Sequence, residues 1–190
     1  QIIKNKATST SIIPQGKDPH TFSPSPSQIK NLNSSNLYFT IKAPFESVIV
    51  KKINKRRGPA IVNISHGVKR REMKSNYHKI HYKNHDKKHD DDDKYHYEDD
   101  HQKGGSKPHD PHIWLSHNAL WKIAKNIEKS LIESDTKNRK FYAKNLNSFL
   151  EGLDKTIKKV KATLKPFHGK KVLVFHPAFG YFFEDYGLIE

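Results

Sequence analysis

The stretch NLYFTIKAPFESVIVKKINKRRGPAIVNIS, residues 36–65, decides the fold class. Its first part, NLYFTI (36–41), is a short buried-strand pattern. PFESVIVKKINK (44–55) reads as a helix with proline in its first turn. PAIVNIS (59–65) is another strand. Strands alternating with helices at this spacing predict a parallel α/β sheet. Upstream, ATSTSII (7–13) alternates, is rich in β-branched residues, and predicts a strand ending at the turn Pro14-Gln15-Gly16. A helix is expected from Ser25 or Pro26, with Ser25 as N-cap and Pro26 at the first helical position, through QIKNL to about Ser34.

Downstream lie two longer helices. WLSHNALWKIAKNIEKSLIESD (114–135) has Ser116 as N-cap and places Leu120, Ile123, Ala124, Ile127 and Leu131 on one face. From Asn138 to about Leu164, Phe141, Tyr142, Leu146, Phe149, Leu150, Leu153, Ile157, Val160 and Leu164 recur at three- and four-residue steps. At 1.5 Å per residue such a helix is roughly 40 Å long, more than one small lobe needs. KKVLVF (170–175) then predicts a buried strand.

Between these halves sits a tract of another kind. Residues 78–112 hold eight of the chain's 13 histidines together with long acidic runs. Residues 75–110 contain almost no aliphatic side chains, which accounts for much of the mean hydropathy of −0.88. Such a segment cannot bury enough surface to offset chain entropy and predicts a surface loop. The embedded DDDDK (90–94) resembles a protease-tag sequence, but native-looking His/Tyr repeats flank it.

Charge and cysteine narrow the chemistry. The net charge is +15, but it is spread thinly. Residues 1–77 carry fourteen Lys/Arg against three acids, 78–103 six against eight, and 104–190 fifteen against nine. The tightest cluster, KKINKRR (51–57), lacks interleaved aromatics and matches no nucleic-acid module. Cysteine is absent, which removes disulfides, thiolate metal sites and cysteine nucleophiles together. Any metal site must therefore use imidazole and carboxylate, donors that suit zinc and, with more oxygen, manganese. No run approaches the roughly 18 apolar residues of a membrane span. The start at Gln1, without Met, suggests a processed or cut chain, so a missing signal peptide excludes nothing.

Three histidines outside the tract's interior share a setting. His20 lies in GKDPHTFSPSPSQ, His112 in HDPHIWLS and His176 in VLVFHPAFGYF. Each is expected at a strand end or at a loop entering a helix, where α/β folds gather ligand sites. In Asp-Pro-His, proline fixes φ before the ligand and the aspartate is placed to orient an imidazole. Three neutral imidazoles converging on one point would leave a position open in zinc's four-coordinate geometry.

The order G-x-DPH-T-x-x-P-S-x-x-Q, LYF…FE…IVNIS-x-G, a His-rich loop, DPHIWLS, a long helix and FHPAFGYF…YGL resembles the zinc-binding solute-binding proteins of ABC importers, of the ZnuA/AdcA type. The resemblance covers nearly every segment except the loop. It implies a periplasmic, or membrane-anchored extracytoplasmic, monomeric protein that binds zinc between two α/β lobes joined by one long helix and delivers it to a membrane permease. By motif it carries over His20, His112 and His176 as the metal ligands. In manganese-selective relatives a carboxylate usually stands at the third position, so His176 points to zinc.

The resemblance also implies that the chain is truncated at both ends. Residues 1–135 are then an N-terminal metal-binding lobe with a mobile His/Asp-rich loop at 76–109, 136–166 a linker helix, and 167–190 the beginning of a C-terminal lobe. A fourth ligand is expected from the missing part. Glu184 and Asp185 follow His176 closely, but their equivalents are not ligands in the family. Auxiliary zinc binding is expected at His78, His81, His85, His89, His96, His101 and His109, whose spacing fixes no geometry.

Other functions remain in view. A manganese or other divalent-metal binder of the same family is the nearest alternative. A zinc hydrolase would need a general base beside the metal, for example in an HExxH helix, and no such motif occurs. A polyanion binder would lose affinity steeply with salt, whereas histidine ligation fails below about pH 6, near the imidazole pKa of ~6.5.

Overall fold

The structure, a computed structural model, describes residues 2–19, 21–73 and 109–190. Two compact units result: one formed by 1–69 with 111–190, the other by 70–110.

In the first unit the predicted strand–helix–strand is present. Strand β1 (Leu37–Thr40) pairs in parallel with β2 (Ala60–Asn63), with Leu37 opposite Ala60 and Thr40 opposite Asn63. Helix α1 (Pro26–Asn33) begins as expected, with Ser25 as N-cap and Pro26 in the first turn. Ser25 Oγ accepts from Gln28 N, and Gln28 Oε1 accepts from Ser25 N, so two orphan donors are satisfied reciprocally. Helix α2 (Glu46–Lys51) is shorter than the sequence predicts. Asn54 takes over beyond it: its Oδ1 accepts from the N–H groups of Arg56 and Arg57, and its own N–H donates to Asn33 Oδ1 at 2.6 Å. Side-chain acceptors of this kind offer the backbone an alternative to another helical turn.

Helices α3 (His117–Ser134) and α4 (Arg139–Leu164) match the predicted pair closely. On α3, Ile123, Ala124 and Leu131 are buried as expected, while Leu120 and Ile127 are only half-buried. Ala124 and Leu131 pack against Tyr142, Leu146 and Leu150 of α4, with Ile2 closing the cluster and Leu37 and Phe39 of β1 at its margin. On the other face of the strands, Tyr38 packs with Ile49 and Ile53, and Leu32 of α1 lies alongside. The result is three layers, α1 and α2, then the strand pair, then α3 and α4.

Two expected strands do not form. Residues 7–13 have no strand pairing; their side chains are mostly exposed, and the Ile12 carbonyl accepts from Gln28 Nε2. Segment 170–175 is neither a strand nor buried: it makes one parallel bridge, Lys171 to Ile189, and Leu173 and Phe175 are 100% and 96% exposed. The physical reason is common to both. Alternating or apolar composition suits a pleated surface, but a strand needs a neighbour along its length to take its backbone hydrogen bonds. Among the described residues 7–13 have no ladder partner, and 170–175 meet one only at Ile189, which bonds Lys170 and Val172 and leaves the rest unladdered. Helix α5 (Gly180–Tyr186) follows and ends on Gly187, whose φ of +70° is the left-handed cap that glycine adopts without strain.

In the second unit, residues 70–73 and 109–110 are described. Glu72 and His109 form an antiparallel bridge, and the Arg71 guanidinium holds the Asp110 carboxylate at 2.8 Å.

Candidate metal centre

His112 is fixed by the turn it begins. Its carbonyl accepts from Leu115 N at 3.1 Å and opens the 3-10 turn Ile113–Leu115, which feeds Ser116, the N-cap of α3. Ile113 is fully buried against Ile64, Ala119, Ile123 and Tyr181. His112 itself is 4% exposed, with Trp114 edge-on to its ring at 5.3 Å between centroids. His176 starts another tight turn, in which its carbonyl accepts from Ala178 N at 2.7 Å, and α5 begins four residues after it. Tyr181 of α5 sits in the same apolar cluster as Ile113. Burial of that pair draws two segments 64 residues apart into register.

The two rings then meet. His112 Nε2 and His176 Nε2 are 3.3 Å apart, with ring planes at 84°. Without a metal, one nitrogen donates a long hydrogen bond to the other, which requires opposite protonation at the two Nε2 atoms. The spacing also suits coordination. With Zn–N bonds of about 2.0–2.1 Å in a tetrahedron, two ligand nitrogens stand roughly 3.3–3.4 Å apart. The Nε2–Nε2 separation thus fits two of the four corners of a zinc site.

Of the other sequence-predicted ligands, His20 and the loop histidines His78, His81, His85, His89, His96 and His101 lie outside the described residues. His109 stands exposed in the bridge to Glu72, in the second unit. No group of three or more His, Asp or Glu side chains poised for a metal occurs among the described residues. Asp110, which the sequence suggested as an orienting group, has its carboxylate engaged by Arg71. His168 is exposed, and its ring lies beside Gly187.

The structure adds Asp185, which sequence reasoning set aside as a non-ligand and gave no other role. Its Oδ2 accepts from Ser116 Oγ and from His117 N, both at 2.8 Å, and its Oδ1 accepts from Asn118 Nδ2 at 2.8 Å. His117 Nδ1 lies 3.0 Å from Oδ2 without hydrogen-bond geometry. The carboxylate thus stands at the N-terminus of α3, where a negative charge is favoured by the helix dipole. The sequence holds no signal for this contact, since the partners are 67–69 residues away.

Residues 1–190 match the family described as ZnuA, zinc-uptake complex component A, periplasmic. The chain belongs to the ZnuA family. It is 28% identical over 191 residues to the high-affinity zinc uptake system protein ZnuA of Bacillus subtilis (strain 168), covering 99% of this chain and 54% of that relative. It is 30% identical over 187 residues to the manganese ABC transporter substrate-binding lipoprotein PsaA of Streptococcus anginosus, covering 94% of this chain and 52% of that one. A crystal structure of a ZnuA deletion mutant with zinc bound superposes with a TM-score of 0.72 at 28% identity, over 94% of this chain and 58% of the other. The chain spans about half the length of the curated relatives it matches. Family membership and the structural likeness together show a ZnuA-type mixed helix and parallel-strand fold. Zinc and manganese both occur among the relatives' names.

Proposed function

We propose that this chain is the metal-capturing part of an extracytoplasmic solute-binding protein that takes zinc as cargo and passes it to the membrane permease of an ABC importer. The observation that carries the reading is the pair His112–His176, whose Nε2 atoms stand at the edge length of a tetrahedral zinc site. His20 is the proposed third imidazole. Imidazole donors favour zinc over manganese, which prefers a harder, oxygen-rich set. Capture and release of an ion needs ligands and no general base, so the protein acts as a binder and not as an enzyme. Among the described residues no helix is long and apolar enough to cross a membrane.

In this reading residues 1–135 form the N-terminal lobe, 136–166 the linking helix and 167–190 the start of a second lobe. Two features support that division. Over its last fourteen residues α4 buries only Ile157, as a helix running away from one lobe would, and Leu173 and Phe175 present apolar side chains suited to a cover from further chain. The histidines of the 76–109 loop would collect zinc at lower affinity, and the protein would work as a monomer.

The test is zinc titration of this chain against a competing chelator, with His20, His112 and His176 each changed to Ala. Structural zinc binding of ~10–16 kcal/mol shared over four ligands implies roughly a hundredfold loss of affinity per imidazole. His85→Ala, His96→Ala and His168→Ala should leave the tightest event unchanged. Equal losses in both sets would mean that zinc is bound diffusely, and the three-histidine centre would have to be abandoned.

A further inference from the structure

We propose that Asp185 is a positioning residue of the metal centre: its carboxylate latches the segment that carries His176 onto the N-terminus of the helix that follows His112, and so sets the separation of the two ligands. The proposal rests on the zinc reading above for its functional half, while the latch itself is a property of the metal-free chain.

Ligand geometry here depends on non-local contacts. His112 and His176 are joined by no continuous element, and α5, which follows His176, has only seven residues. Besides the Tyr186 ring against His117, 5.2 Å between centroids, two contacts hold it against α3 and the turn before it. One is apolar, Tyr181 with Ile113 and Ile123, and it is non-directional. The other is the Asp185 carboxylate, 11% exposed at its side chain, which takes three hydrogen bonds from three consecutive residues, Ser116, His117 and Asn118. Bonds to an ionised acceptor are directional and stronger than neutral ones, and the positive end of an 18-residue helix faces the same charge. No Lys or Arg pairs with Asp185 among the described residues; around it stand these donors, the helix terminus and the His117 ring, whose Nδ1 lies 3.0 Å from Oδ2. Ser116 couples the latch directly to the ligand turn: its Oγ caps α3 by accepting from Ala119 N and donates to Asp185, and its N–H closes the turn by donating to the Ile113 carbonyl. A shift of Asp185 therefore moves the two ends that the metal requires to be close.

Asp185→Asn is the first variant, because it keeps shape while turning one acceptor oxygen into a donor that faces other donors. Glu151→Gln, at an exposed position on α4, is the control for loss of a charge. Two measurements are needed. Amide hydrogen exchange of the metal-free chain reads the latch: Asp185→Asn should speed exchange at 117–119 and also across 176–186. Acceleration confined to 117–119 would show an ordinary helix cap and overturn the proposal.

Zinc affinity by chelator competition, with the visible spectrum of the cobalt-substituted chain, reads the ligand geometry. Loss of a group that orients metal ligands costs about ten- to a hundredfold in affinity, and the cobalt spectrum should shift with it. Affinity within twofold of the parent and an unchanged cobalt spectrum would refute the positioning role even if the chain had lost thermal stability. If Asp185→Asn does not fold, Asn118→Ala removes one donor from an exposed position and should weaken zinc about threefold, with unchanged affinity again refuting the role. If His112→Ala and His176→Ala leave zinc binding of the parent intact, it is the zinc reading that fails, and the exchange pattern still decides the latch.

Discussion

Removing the Glu46 side chain should cost this chain about 4 kcal/mol, and the bonds it makes show why. Glu46 is 6% exposed and sits at the start of α2, where its Oε2 collects Ala43 N at 2.7 Å, Thr40 Oγ1 at 2.8 Å and Ile41 N at 3.1 Å. Ile41 N also approaches its Oε1, at 3.4 Å. The knot holds the exit of β1, where Lys42 takes a φ of +56°, a left-handed conformation costing a side-chain-bearing residue about 1–2 kcal/mol. Glu46→Ala strands two backbone N–H groups and a hydroxyl, and a buried donor left unpaired costs about 1–3 kcal/mol. Glu46→Gln should be much cheaper, about 1–2 kcal/mol, because a carboxamide oxygen placed at Oε2 keeps the three short bonds and loses only their charge assistance. Urea unfolding followed by circular dichroism, with the slope checked for constancy, measures both. A cost for Glu46→Ala below about 1 kcal/mol, or equal costs for the two variants, would show that acceptor geometry at Oε2 is not what holds the loop.

Leu146→Ala, in the cluster between α3 and α4, should cost about 3 kcal/mol by calorimetry, whereas Lys155→Ala on the exposed far half of α4 should stay within about 0.5 kcal/mol. Gly187→Ala should be worse than Gly16→Ala, although both sites have left-handed φ: a Cβ at 187 runs into the His168 ring, and one at 16 meets open space. Adding His168→Ala should rescue part of the Gly187→Ala loss, and a double variant no better than the single would refute that contact as the cause. Asp135 offers a pH test. Hydrogen bonds from Asn138 and then Tyr142 hold its carboxyl below the usual 3.8. Its folded pKa is thus the lower one, so its stabilisation is present above the unfolded value and is lost as pH falls through the folded one. Asp135→Asn should therefore destabilise the chain at pH 7 by urea unfolding, with the gap closing below 3.8; a gap that persists in acid would point to packing instead.

The sequence by itself determined what is local. Ser25, Pro26 and Gln28 specified the start of α1, and Ser116 that of α3, because a cap bonds to backbone within three residues. The apolar repeat from Tyr142 to Ile157 specified α4 to within a residue, since a helix satisfies its own backbone and needs its neighbours only to cover one face. Motif order also pointed to His112 and His176 as partners. Tertiary structure decided what depends on a distant neighbour. Residues 7–13 and 170–175 have strand-like composition yet form no strand, because a ladder extends only as far as a second segment runs beside it, and Ile189 meets the latter stretch at a single bridge. Asp185 reads in the sequence as one acid beside Glu184. Only the packing of Tyr181 on Ile113 brings its carboxylate to the donors of Ser116, His117 and Asn118, and with them sets two imidazole nitrogens 3.3 Å apart.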